Sequence, residues 1–146
     1  MNAAKSILSL FRYLGLAALI AIGVLSEVPG SLRPHVFAVG QLEHFLAYFA
    51  AALLLTLGFW SRRNVLLLSL TLPIYAAALE VAQLFVPGRD SEFIDFFASW
   101  GGVCAGIISA WLLRSACKRR LAGKAFLGSA VVTRGVVANH RFRAEE

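Results

Sequence analysis

"VLLLSLTLPIYAAALEVAQLFVPGRDSEFID", Val65 to Asp95, decides how this chain is read. Its first part, Val65–Val86, carries a single charge, Glu80, in an otherwise lipid-soluble run. A helix of about 22 residues rises roughly 33 Å, enough to cross a hydrocarbon layer of about 30 Å. Pro73 is a kink of the kind a helix bundle tolerates, and Pro87-Gly88 stops the helix. Arg89, Asp90, Glu92 and Asp95 then follow in quick succession. Glu80, with Gln83 one turn later, therefore lies inside the span and not beyond it. A charge so placed costs roughly 2.5–3.5 kcal/mol or more, which makes it a functional candidate by default.

Three more apolar runs accompany this one. The sequence predicts spans over about 7–25, 41–60, 65–86 and 94–113. The first follows Lys5 but is long for a cleaved leader, and no small-x-small site precedes the Ser26–Gly30 turn, so it reads as an uncleaved span. Short connections make sequence neighbours antiparallel, which predicts an all-α, up-down four-helix transmembrane bundle over 1–120. Residues 121–146 read as a basic, loosely ordered tail. The chain of 146 residues is 59% hydrophobic and 15% charged, with mean hydropathy +0.73, far to the membrane side of soluble domains.

The net charge of +6 points to no nucleic acid. Eight of the fourteen basic residues lie from Arg114 onward, beside an apolar run, as in a segment held near anionic lipid. Lys5 and Arg12, the Arg62-Arg63 turn, and Arg114, Lys118, Arg119, Arg120 and Lys124 all fall on one side of a four-span protein. The positive-inside rule puts that side, and both termini, in the cytoplasm. The two cysteines, Cys104 and Cys117, read as unpaired thiols.

Depth brings polar residues from distant segments to one level. Glu80 lies fifteen residues past Val65, roughly 22 Å up from the cytoplasmic end. His44, three residues into a helix entering from outside, is roughly 5 Å deep on the outer side. Gln83 shares the helix face of Glu80, while Arg89 and Asp95 lie on the outer loop and at the start of span four. His44, Glu80, Gln83, Arg89 and Asp95 are thus the candidate ligand-binding residues, and His44, Glu80 and Asp95 the candidate acid–base residues. Asp95 or Ser91 also serves as a helix start, since an acid there suits the helix dipole. No nucleophile elbow, Walker loop or metal-ligand spacing is present, so the sequence implies no cofactor and no metal. Gly102 and Gly106 form a small-xxx-small pattern that permits close helix approach and offers a face for a homo-oligomer.

The order of these positions resembles the VanZ-like membrane proteins of bacteria. The matching residues are Ser26, Pro29 and Gly30; His44, Phe45 and Tyr48; Glu80 and Gln83; Pro87 and Arg89; Asp95; and Gly102 and Gly106. The resemblance covers about 7–113 and departs at two places. Gln41 and Leu42 stand where the family usually has Asp-Lys, and Ser99 stands where it usually has Asn. The family is named for a member associated with teicoplanin resistance, and the resemblance supplies no mechanism. Three functional classes remain open on the residues. The first is binding of a polar or anionic headgroup of a membrane lipid, lipid-linked envelope precursor or amphiphilic drug. The second is acid–base catalysis on a lipid phosphate, and the third a structural role in a membrane assembly. Proton-coupled transport is a weaker fourth, because four spans offer little pathway.

Overall fold

The structure is a computed structural model that describes residues 2–29, 40–87 and 93–143, with side chains described from 5 to 123 within those stretches. All four elements are helices: α1 Asn2–Ser26, α2 Gly40–Gly58, α3 Arg62–Gln83 and α4 Phe93–Arg143. Each contains a stretch long and apolar enough to cross a membrane, as the sequence predicts. The exposed side chains are themselves apolar: Ile20, Ile74, Phe85 and Phe93 lie mostly outside the packed core, Phe93 being 90% exposed. Water would penalise such a surface and lipid does not. The chain is a multi-pass membrane protein.

Local chemistry closes the turn between α2 and α3. Ser61, in extended conformation, caps α3 by accepting a hydrogen bond from the Asn64 backbone N–H at 3.1 Å. Asn64 Nδ2 reaches back to the Phe59 carbonyl at 3.0 Å, which ties the end of α2 to the start of α3. Inside α3 the hydroxyls of Ser69 and Thr71 donate to the carbonyls of Leu66 and Leu67, at 2.8 and 2.9 Å. Polar side chains in a span are satisfied this way by their own helix. Regular α3 ends at Gln83, three residues before the predicted Val86. The chain then tightens into three-residue turns, with Leu84, Phe85 and Val86 N–H groups donating to Val81, Ala82 and Gln83 carbonyls.

Residues Met1–Ala110 form one compact unit and Trp111–Glu146 another. In the first, α2 is central. Its Tyr48, Ala52 and Leu55 pack with Leu72 and Ala76 of α3 and Val103 of α4, and Leu19 and Ile22 of α1 lie against them. Arg12 Nε donates to the Gly58 carbonyl at 2.8 Å while Gly15 meets Leu55, so α1 runs antiparallel to α2. Tyr75 of α3 donates its hydroxyl to the Leu19 carbonyl at 2.9 Å. Phe45 and Phe49 of α2 face Gly102 and Gly106 of α4 in that order, so these two helices run parallel. That is the up-down arrangement the short connections predict.

A Cβ on Gly102 would collide with the Phe45 carbonyl, and one on Gly106 would lie 2.6 Å from the Phe49 carbonyl and 2.9 Å from Ala52 Cβ. The Gly102–Gly106 face therefore packs backbone to backbone against α2 of the same chain. From 121 onward α4 continues as helix to Arg143. Its Arg, Lys, Ala and Leu residues favour that state. In the second unit Lys118, Arg119 and Arg120 are exposed and Cys117 is a free thiol, as is Cys104 in the first unit.

Candidate functional site

Three helices of the first unit each deliver one ionisable side chain to a common point. His44 enters from the first turns of α2, Glu80 from the last turn of α3, and Asp95 from the first turn of α4. His44 Nδ1 stands 3.9 Å from Glu80 Oε1, and its Nε2 stands 3.8 Å from Asp95 Oδ2. The imidazole is thus flanked by a carboxylate on each ring nitrogen. These gaps exceed the 2.7–3.2 Å of a direct hydrogen bond, so the groups attract through space more than they bond. His44 is 8% exposed and Glu80 9%, and the Asp95 side chain is 14% exposed. Ionisable groups this buried are tolerated when polar partners face them, and the imidazole faces both acids.

The arrangement has a local cause on each helix. Asp95 lies within the first turn of α4, not at its cap, where the positive end of the dipole favours a carboxylate. Glu80 and Gln83, one turn apart, share the face of α3 turned inward, and Gln83 is only 1% exposed. Its side-chain nitrogen and Asp95 Oδ1 are buried without a hydrogen-bond partner among the described residues. Arg89, the fifth predicted residue, lies outside the described residues, as does Ser91.

Two residues belong to the site that the sequence did not nominate. Ser99, fully buried on α4, places its Oγ 3.5 Å from His44 Nδ1. Tyr48, 2% exposed, lies one turn below His44 on the same face of α2. Both sit four residues from a nominated residue, Asp95 and His44 respectively, so helical spacing was the signal available. Ser99 had entered only as a departure from the VanZ-like pattern.

Beside the cluster, α3 and α4 leave a half-open groove. It has a volume of about 540 Å³ and is lined by Ala77, Glu80, Val81, Leu84, Phe93, Phe96 and Phe97. The α3 contribution follows the 77, 80, 81, 84 spacing of a single helix face. Phe96 and Phe97 meet edge to face at 5.6 Å, and Phe97 tilts against Trp100, making an aromatic wall. Among the described residues Glu80 is the one ionisable residue in this lining. It borders both an apolar groove and the buried His44 cluster.

At the far end of the bundle a separate polar contact completes the picture. The Arg12 guanidinium lies 4.9 Å over the Phe59 ring while it holds the Gly58 carbonyl. This anchors α1 to the end of α2 and takes no part in the site. No protein-family model matches the chain, and neither a curated protein nor a solved structure does.

Proposed function

We propose that this chain is a bacterial inner-membrane protein, with both termini in the cytoplasm, that binds an amphiphile in the outer leaflet. The headgroup lies at His44, Glu80 and Asp95, and the apolar portion lies in the groove between α3 and α4. One observation carries this reading: an apolar groove of about 540 Å³ whose single ionisable lining residue, among the described residues, is Glu80 of the buried cluster. That volume falls in the range of small-molecule sites, which are mostly apolar with a few placed polar groups. The distribution of Lys and Arg supports the orientation, which puts the end of α3 and the start of α4 on the outer side. Two carboxylates and an imidazole favour a headgroup rich in hydroxyl or amine donors. In an anionic headgroup Arg89 supplies the phosphate or carboxylate contact. The ordered polar positions resembling VanZ-like proteins fit an envelope lipid, a lipid-linked precursor or an amphiphilic drug, without choosing among them.

The test uses the full chain in proteoliposomes with a phospholipid carrying a photoactivatable diazirine in its acyl chain. Labelling is expected on the Phe93–Phe97 peptide and is expected to fall at least about tenfold in Ala77→Trp, which fills the groove. A ligand displaced from such a pocket loses about 1.4 kcal/mol for each tenfold. Labelling indifferent to both Ala77→Trp and Glu80→Gln would refute the reading.

A second reading is favoured by the burial itself. Each ring nitrogen of His44 faces a carboxylate, so the cluster also serves as a lock between α2, α3 and α4. In that case Glu80→Gln lowers accumulation of the protein in the membrane and leaves lipid labelling per folded molecule unchanged.

A further inference from the structure

We propose that His44, Glu80 and Asp95 form a binding site for a divalent first-row metal ion, with zinc as its simplest occupant. One ligand atom from each of the three side chains lies within 4.8 Å of the others. Zinc holds nitrogen and oxygen ligands at about 2.0–2.2 Å, which places neighbouring ligands roughly 3.4 Å apart in a tetrahedral shell. A single ion takes one ring nitrogen; with Nδ1 beside Ser99 the free one is Nε2, whose 3.8 Å gap to Asp95 Oδ2 is too long for a hydrogen bond and close to that separation, while Glu80 completes the set within the 4.8 Å span. Modest rotamer adjustment closes the remainder. No spacing in the sequence could mark this set, because each member comes from a different helix.

A second observation is independent of those distances. Asp95 Oδ1 is buried and has no hydrogen-bond partner among the described residues. It shares a carbon with Oδ2, so it lies at the cluster and not elsewhere. The nitrogen of Gln83, one turn beyond Glu80 on the inward face of α3, is buried and equally without a partner among the described residues. Buried polar atoms left so call for a water or an ion that completes their coordination. A cation held by Asp95 satisfies the carboxylate, and a water on that cation accepts from the Gln83 amide.

Donor chemistry and charge narrow the ion. One imidazole with two carboxylates is a nitrogen–oxygen set without sulfur, suited to Zn²⁺ or Mn²⁺ rather than Cu⁺. A divalent cation neutralises two buried carboxylates while leaving His44 uncharged, which suits an apolar surrounding. Ser99 Oγ, 3.5 Å from His44 Nδ1, is placed to hold the orientation of the ring. Three protein ligands leave at least one position open to water or to an oxygen of a bound molecule. The inference does not rest on the amphiphile reading, since metal is measured without lipid ligand.

The full-length chain carrying Cys104→Ser and Cys117→Ser, which removes two free thiols able to take zinc, is purified in detergent, stripped with chelator and titrated with zinc chloride. One equivalent per chain is expected. Glu80→Gln and Asp95→Asn, which conserve volume, are each expected to weaken binding at least about 100-fold, beyond the 10–100-fold typical of outer-shell changes. X-ray absorption of the zinc-loaded chain with His44, Glu80 and Asp95 intact gives a readout independent of how these variants fold. It should show a nitrogen–oxygen shell at about 2.0–2.2 Å containing a single imidazole. The proposal is overturned by absence of saturable binding to the folded chain, by binding that persists in the Glu80→Gln/Asp95→Asn double variant, or by a shell with several imidazoles, which His35 and His140 would supply.

Discussion

Replacing His44 with alanine removes the group that faces both buried acids. In the intact site Nδ1 and Nε2 lie 3.9 and 3.8 Å from carboxylate oxygens, and the side chains of the trio are 9–14% exposed. A unit-charge pair at about 4 Å carries roughly 4 kcal/mol at an effective dielectric of 20, most of which offsets desolvation. Breaking a buried pair by removing one partner costs about 3–5 kcal/mol, because the other group stays buried without that partner. His44→Ala is therefore expected to destabilise the bundle by about 3–5 kcal/mol. For a chain of this size that corresponds to roughly 6–20 °C in Tm. Adding Glu80→Gln to His44→Ala should recover part of the loss, with a coupling of about 1–3 kcal/mol between the two substitutions. The assay is thermal unfolding in detergent with chelator present, followed by tryptophan fluorescence, so that bound metal plays no part. If His44→Ala lies within about 1 kcal/mol of the unsubstituted chain, or the two substitutions simply add, the imidazole does not bridge the acids.

Three further outcomes are expected. Gly106→Leu should destabilise by about 1–3 kcal/mol or more, because its Cβ meets backbone of α2, whereas Gly123→Leu, with open space around it, should change thermal stability little. Ser61→Ala removes the cap of α3 and should cost about 1 kcal/mol in the same unfolding assay. With Cys104 replaced by serine, Cys117 should react with a membrane-impermeant maleimide only after the cells are permeabilised. Labelling in intact cells would contradict cytoplasmic placement of that end of the chain.

The four spans were legible because partition into lipid depends on the local run of side chains, which sequence displays directly. Ser61, Asn64 and Pro87 likewise act within a few residues of themselves. Depth along each helix also follows from counting, so His44 and Glu80 could be set at one level before their contact was seen. Rotation about the helix axis does not follow from counting, since lipid accepts apolar side chains on any face. Ser99 and Tyr48 were missed for that reason: each is unremarkable alone and joins the site only through the face its helix turns inward. Arg89 keeps its place as a sequence-derived candidate, outside the described residues.

What the sequence by itself determined is that the chain has four helices long and apolar enough to cross a membrane, and roughly where along each its polar residues lie. Tertiary packing decided which of those residues meet. The Gly102–Gly106 pattern announced a close backbone contact, but only the folded chain assigned it to α2. That seam sets Asp95 and Ser99 against His44, while the α2–α3 contact sets Glu80 on the other side. A buried imidazole between two carboxylates is thus a property of three helix orientations at once. Contacts between residues 36 and 51 positions apart in sequence depend on interhelical geometry that no local pattern encodes.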